Sequence, residues 1–524
     1  MVSLTFYDGV NCIGGNKILL ESDDTTLLLD FGLNFGTEGR YFDEFLNGRT
    51  IFGISDYLAL GLLPPLKGIY RPDLEQPGVW DRHKGSHLFR ELEVNGLLLS
   101  HAHVDHNGYL PYIKSDIPIY TSLTTAFISK VMQDTGSGTS QETCYIINKI
   151  GADVGLLQTP RDYKIPYVQR PFFTMDSENS LPSQTEFWAR CGGKRSINSC
   201  SIGTCSCRET RIGNLKVRWW PVDHSIPGAG AYGVETSGGW VVYTGDMRLH
   251  GKNAHSTRCF MEAAAKLQPL ALICEGTHPE TEKPVTEEEV FKNSLAVVSN
   301  AKDRLIIADF GPRNIDRLIS FLEIARETNR QLVLTYKDVY LLDALHAAGE
   351  PGVPDPFTDC NFVLYNRPKG TFVSWEKALI EKYKIRCPER LVNAPEIQRE
   401  PGRFILCFSY YDFPALLDIM PEKAVYIYSS SEAYDEEMMI NHTRVKNWID
   451  FFGMELYGAL GKDREKSGFH ASGHIHGPGL VELVETIKPE VLIPVHTEDR
   501  DFFERHFDGK LRLLLPERGE TIKL

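Results

Sequence analysis

Long apolar runs are missing from this chain. No stretch reaches the roughly 18 residues that a membrane-spanning helix needs, so no membrane partner is expected. The first residues, Met1-Val-Ser-Leu-Thr-Phe-Tyr, lack both a basic flank and an apolar signal core, and a cytoplasmic location is expected. Positive charge is also short: 56 Lys and Arg stand against 70 Asp and Glu, a net charge of −14. That balance argues against non-specific coating of nucleic acid. It does not exclude a nuclease, because bound dications and a local basic groove can dominate the field in a cleft. No internal repeat is evident. Eleven cysteines in an intracellular chain read as free thiols or metal ligands rather than disulfides.

What is present is an ordinary globular composition, 42% hydrophobic and 24% charged, over a length that favours two domains. The first part alternates short strands and turns: Thr25 to Phe31, Gly96 to Ser100, Val217 to Val222 and Trp240 to Thr244 are apolar runs of strand length. Each carries an ionisable residue at its end: Asp30, His101, His224 and Asp246. Residues 45–85 are rich in Pro, Gly and aliphatics, and read either as a loop over the site or as an excursion packed on the core. From about residue 280 the pattern changes. Thr286-Glu-Glu-Glu289 is a capping box that opens an amphipathic helix. After it, Arg304–Asp309, Gln331–Thr335, Phe404–Phe408 and Ala424–Tyr428 read as strands. Asn314–Ala325, Val339–Ala348 and Glu436–Phe452 read as helices. That alternation implies a parallel α/β unit. From Glu455 the chain returns to strand, His-rich turn, helix and strand.

The densest chemistry lies in His101-Ala-His103-Val-Asp105-His106. Three imidazoles and a carboxylate packed this tightly fit two adjacent metal ions better than one. Five further positions stand out: His224 and Asp246 at strand ends, Glu275 in Ile273-Cys-Glu-Gly-Thr, His474 in His470-Ala-Ser-Gly-His, and His496 in Pro494-Val-His. Taken singly, His224 and Asp246 are more often plain turn residues.

In this order the motifs resemble the metallo-β-lactamase superfamily. Glu275, His474 and His496 resemble its β-CASP branch, which includes RNase J and the cleavage-and-polyadenylation endonuclease. The resemblance runs over most of the chain. It implies an α/β fold, a metallo-β-lactamase αββα sandwich with an inserted parallel-sheet β-CASP domain. The expected boundaries are 1–280 and 455–524 for the sandwich and 281–454 for the insertion. It implies that His101, His103 and His224 hold one zinc, that Asp105, His106 and His496 hold the other, and that Asp246 bridges them, with manganese as a substitute. Asp30 would support the ligands from behind. The metals would activate a water for in-line attack on a phosphodiester. His474 is the candidate general acid, oriented by Glu275.

A histidine at the position of His496 resembles the RNA-acting members and favours single-stranded RNA over DNA. Thr497 stands where relatives often have Gly. Ser409 and Ser472 lie at turns that could hold a substrate phosphate, or simply make local turn hydrogen bonds. His250, His278, His470 and His476 lie near motifs and read as supporting or surface residues. Cys191, Cys200, Cys205 and Cys207 fall within 17 residues and could bind a third, structural zinc. Their spacing is not that of paired C-x2-C knuckles, which favours free thiols. Relatives commonly carry a further C-terminal domain that aids dimerisation. None is expected here, nor a KH domain, and a homodimer stays open. The expected activity is a zinc-dependent ribonuclease. Its rivals are a DNA exonuclease on the same scaffold, a non-catalytic RNA-binding subunit, which the filled ligand positions argue against, and a small-molecule metallohydrolase.

Overall fold

The structure is a computed structural model. It describes residues 2–43, 45–136, 145–147, 150–153, 156–158, 168–176, 182–190, 201–205, 208–430, 436–460 and 467–524. Three large sheets organise them. The first has eight strands, in the spatial order Gly203–Thr204, Phe172–Thr174, Ile119–Thr121, Gly96–Leu98, Thr25–Leu29, Lys17–Ser22, Ser3–Asp8 and Thr521–Lys523. The second has seven, in the order Glu209–Ile212, Leu215–Pro221, Gly230–Thr236, Gly239–Tyr243, Ala271–Glu275, Val491–Val495 and Arg512–Leu513.

The strand sequences show why these two sheets stack. In Thr25–Leu29, Leu27 and Leu29 face the second sheet, where they pack with Val241, Ile273 and Ile493. Leu28, between them, faces outward to Phe127 and Tyr70. In Ala271–Glu275, Ile273 points inward while Leu272 and Cys274 meet the outer helices Ala254–Ala265 and Gly477–Ile487. A period of two with both faces apolar marks strands buried on both sides. The result is two sheets between outer helices, an αββα sandwich. Residues 45–85 take the second reading offered above: Leu62, Leu63, Leu66, Ile69 and Tyr70 are buried against the outer face of the first sheet.

The third sheet is parallel throughout, in the order Leu391–Val392, Phe362–Tyr365, Gln331–Leu334, Phe404–Cys407, Ile306–Asp309, Val425–Tyr428 and Glu455–Tyr457. Three of its helices begin at side-chain caps. Thr286 accepts from Glu289 N, Asn314 from Arg317 N, and Thr335 and Asp338 form a reciprocal capping box. The expected break between residues 454 and 455 is corrected here. Glu455–Tyr457 pairs in parallel with Val425–Ile427, so the third sheet keeps its edge strand, and the chain returns to the sandwich only after it. Strand Phe362–Tyr365 and helix Ser374–Arg386 add to the elements expected from the sequence. No helix among the described residues is long and apolar enough to cross a membrane.

Candidate metal centre

The ends of strands from both sandwich sheets meet at one point. His101 follows Gly96–Leu98, His224 follows Leu215–Pro221, Asp246 follows Gly239–Tyr243, Glu275 ends Ala271–Glu275, and His496 follows Val491–Val495. Left-handed backbone marks two of the strand ends. Asp30 and His496 adopt φ of 56° and 53°, a conformation uncommon outside glycine that clusters at functional sites. Gly245, at φ 57°, precedes Asp246, and a Cβ there would lie 2.7 Å from Ser100 Cβ. The short helix Val104–Asn107 presents Asp105 and His106. It is laid directly against Gly32, where a Cβ would fall 1.6 Å from the carbonyl oxygen of Asp105.

Two groups of donor atoms result, His101, His103 and His224 in one, Asp105, His106, Asp246 and His496 in the other, and a third set, Asp246, Glu275, His474 and His496, overlaps the second. In the first, His103 Nδ1 lies 3.1 Å from His101 Nε2 and 3.0 Å from His224 Nε2. In the second, Asp246 Oδ2 lies 3.0 Å from His106 Nε2 and 3.6 Å from His496 Nε2. Asp246 Oδ2 is also 3.7 Å from His101 Nε2, so it stands between the groups.

Hydrogen bonds behind the rings set their tautomers. His224 Nδ1–H donates to Gly473 O (2.5 Å) and His106 Nδ1–H to Asp30 Oδ2 (2.7 Å). The Thr277 hydroxyl donates to Glu275 Oε2 (2.9 Å) and so accepts from His496 Nδ1–H (2.8 Å). Each leaves an Nε2 lone pair aimed into the cluster. His106 Nε2 and both carboxylate oxygens of Asp246 are buried without a hydrogen-bond partner. Lone pairs and carboxylates converging in a buried space call for cations. The residues therefore fit a metal centre, and five imidazoles with two carboxylates suit zinc.

In the first group electrostatics agree. Burial holds His101 and His224 well below the usual imidazole range and takes His103 down to about 3. All three are thus neutral, ligand-ready rings. Burial also opposes the charged forms of His106 and His496, but the carboxylates of Asp246 and Asp105 overcome it and raise both. Against its own burial, Asp246 is held well below the carboxylate range, chiefly by His106 and His496.

Asp30 sits behind the ligands as a buried hub. It accepts from Ser100 N (2.7 Å), Ser100 Oγ (2.7 Å), His106 and Tyr243 Oη (2.6 Å), while Asn16 Nδ2 donates to Tyr243 Oη (2.8 Å). His474 Nδ1 lies 3.1 Å from Glu275 Oε2 and 3.7 Å from Asp246 Oδ2, beside the second group. Sequence reasoning missed Tyr243, Asn16 and Thr277. Only the adjacency of Tyr243 to Thr244-Gly-Asp246, and of Thr277 to Glu275, hinted at them.

The two serines make local turn bonds. Ser409 Oγ donates to Asp412 Oδ2 (2.9 Å) at the start of a 3-10 turn, and Ser472 Oγ accepts from His474 N (3.2 Å). Ser472 adjoins the centre, with its carbonyl held by Arg248 and His250. Ser409 follows a strand of the third sheet and, among the described residues, makes no hydrogen bond to the ligands. Cys205 is buried. Cys191, Cys200 and Cys207 lie outside the described residues.

Residues 467–510, which contain His474 and His496, match the family described as RMMBL, a Zn-dependent metallo-hydrolase RNA specificity domain. Over 469 residues the chain is 22% identical to ribonuclease J of Corynebacterium glutamicum, covering 87% of this chain and 52% of that one. It is 22% identical over 507 residues to ribonuclease J 2 of Streptococcus pyogenes, covering 95% and 70%. It is 21% identical over 510 residues to ribonuclease J of Mycoplasma genitalium, covering 94% and 67%. The chain thus spans about half the length of the first relative and about two thirds of the other two. A crystal structure of a protein of unknown function from Enterococcus faecalis shares the fold, with a TM-score of 0.67 at 20% identity over the whole of both chains.

Proposed function

We propose that this chain, an RNase J-like metallo-β-lactamase protein of the β-CASP branch, is a zinc-dependent ribonuclease that hydrolyses phosphodiester bonds in single-stranded RNA. The observation that carries the reading is the shared donor set, two groups meeting at Asp246, with the His474–Glu275 pair alongside. His101, His103 and His224 would hold one zinc, and Asp105, His106 and His496 the other, with Asp246 common to both. Manganese would suit the second, carboxylate-bearing group as well. When bound, such a pair supplies Lewis acidity, lowers the pKa of water and neutralises phosphate charge. The parallel sheet of residues 306–457 is then the inserted β-CASP unit.

The protein's own part is orientation and proton transfer. Asp30 fixes the ring of His106, Gly473 O fixes His224, and Thr277 fixes His496. Hydrolysis leaves an alkoxide that needs a proton. His474 lies beside the donor cluster and would supply it, with Glu275 Oε2 as the partner of its Nδ1. Glu275 is itself held by Met247 N at 2.6 Å and by Thr277.

The test uses zinc-loaded protein on 5′-labelled RNA and on DNA of the same sequence. RNA cleavage that is lost on chelation supports the reading. Equal or better DNA cleavage replaces it with a DNA exonuclease, and inertness on both with full metal loading leaves a binding subunit. Mononucleotide release or internal fragments then distinguish exonuclease from endonuclease. Zinc above two per chain, lost in Cys205→Ser, would add the third site.

A further inference from the structure

A cavity of about 910 Å³ lies outside the metal centre, and none of the metal-donor side chains lines it. That volume is in the range of small-molecule sites. The cavity is built from residues 49–88, the excursion on the outer face of the first sheet, together with Tyr7 and Arg518.

One wall is apolar. Leu58, Leu63, Pro64 and Pro65 come from helix Ser55–Ala59 and the turn after it. A second wall is cationic. Arg82, His83 and His87 come from the 3-10 turn Val79–Arg82 and the loop after it. Among the described residues, the side chains of these three make no hydrogen bond and no ion pair.

Both walls are fixed before any ligand arrives. Leu66–Lys67, which follows the apolar wall, pairs in parallel with Arg90–Glu91, which follows the cationic one, and Arg90 N donates to Pro65 O (3.2 Å). Tyr70 Oη donates to Pro64 O (2.6 Å). Trp80, inside the cationic turn, is buried, stacks on Tyr70 with ring centroids 6.1 Å apart, and donates Nε1–H to Glu75 Oε2 (2.9 Å). A preformed site loses little freedom on binding.

Charge is out of balance there. The chain carries −14 overall, yet Arg49, Arg82 and Arg518 line the cavity against Asp56 alone. Asp56 is taken by Arg49, whose Nε and Nη2 reach it at 2.9 and 2.7 Å. Arg518 donates to Tyr7 O (2.9 Å) and lies 3.7 Å from Asp8, which already pairs with Lys17 at 3.1 Å. Ser55 also lines the cavity, and its buried hydroxyl has no hydrogen-bond partner among the described residues. Buried hydroxyls left unpaired are few in folded proteins. Unbalanced cations and an unpaired hydroxyl suit an anion with several acceptor oxygens, such as a phosphate.

The apolar wall asks for more than a bare ion. A nucleobase offers a flat face for apolar packing beside a phosphate that takes charge-assisted bonds. We infer that this cavity is a second binding site, outside the metal centre, for a nucleoside monophosphate unit, with Arg82, His83 and His87 on the phosphate and Leu63 and Pro64 under the base. The unit is either a free nucleotide or one nucleotide of an RNA strand. The choice of a nucleoside among amphiphilic anions rests on the ribonuclease reading.

The test uses full-length, zinc-loaded protein as wild type, Arg82→Gln/His87→Gln and Ala59→Phe. Arg82 and His87 are exposed, so the first variant leaves the core intact. Ala59 lines the cavity, so the second fills it without changing its charge. Equilibrium dialysis counts adenosine 5′-monophosphate bound per chain, with inorganic phosphate and adenosine as comparison probes. Kinetics on single-stranded RNA give kcat and KM. One expected result is an equivalent of the nucleotide bound by the wild type and missing from both variants, which assigns a free nucleotide. The other is a KM for RNA raised about tenfold or more in both variants at unchanged kcat, which assigns an RNA strand. Unchanged nucleotide stoichiometry together with unchanged KM overturns the inference and leaves the ribonuclease reading standing. Inorganic phosphate bound as tightly as the nucleotide also overturns it, since the apolar wall would have no part. Dialysis does not depend on turnover, so a wild type that binds the extra equivalent but cleaves no RNA overturns the ribonuclease reading and leaves this site standing.

Discussion

Thr277 Oγ1 lies within hydrogen-bonding reach of Glu275 Oε2, His474 Nδ1 and His496 Nδ1 at once, so one hydroxyl links the proposed acid to a proposed ligand. His474 also shares a donor group with Asp246, Glu275 and His496, so substitution separates a general acid from a ligand. His474→Ala should lower kcat by about 10²–10⁴-fold, as loss of general acid catalysis does, with both zinc equivalents retained. Loss of one equivalent would make His474 a ligand instead. Tyr243 carries the second prediction at this scale. Its hydroxyl joins Asn16 to Asp30, which orients His106. Tyr243→Phe should weaken binding of one of the two zinc ions by about 10–100-fold, the usual effect of losing a supporting partner. A chelator-competition titration reads this out, and unchanged affinity would dismiss the role.

At the scale of elements, the ends of strands and the backs of short helices decide the geometry. Gly32 gives the helix Val104–Asn107 room to lie against the strand end at Asp30. Gly32→Ala would drive a methyl into the carbonyl of Asp105, so the expected outcome is fewer zinc equivalents per chain at unchanged far-UV circular dichroism. In the third sheet, Asp309 ends its strand fully buried. Burial, helped by Asp412 and opposed by the Tyr426 hydroxyl, pushes its carboxyl up to about 7 from the ordinary 3.8. Between those values the folded chain keeps a proton that the unfolded chain releases. Asp309 therefore contributes stability that is complete below about pH 4 and fades as pH rises towards about 7. Asp309→Asn should flatten part of that decline. The readout is the Tm difference between variant and parent across this range, and a constant difference would refute it.

For the whole molecule, the donors span residues 101 to 496 and come from both sandwich sheets. Removing metal should leave lone pairs and carboxylates facing one another, so EDTA should lower Tm and zinc should restore it. A Tm indifferent to both would count against a metal centre.

Much of this was written locally. The run His101 to His106 and the ionisable residues at strand ends can be read because a ligand set needs particular side chains at short spacing. The period-two apolar strands and the capped helices were legible for the same reason, since each depends on neighbours in sequence. The edge strand Glu455–Tyr457 was not, because only pairing with Val425–Ile427 assigns it to the third sheet. Nor were Tyr243 and Thr277, ordinary residues whose importance comes from what stands opposite them. The sequence by itself determined which side chains could bind metal and how the strands alternate. Only the tertiary structure decided that His224 and Gly473 meet, that Asp246 stands between the two donor groups, and that Arg248 and His250 hold the Ser472 carbonyl beside the centre. Hydrogen bonds and charge act through space, and residues 249 positions apart become neighbours only when the sheets have packed.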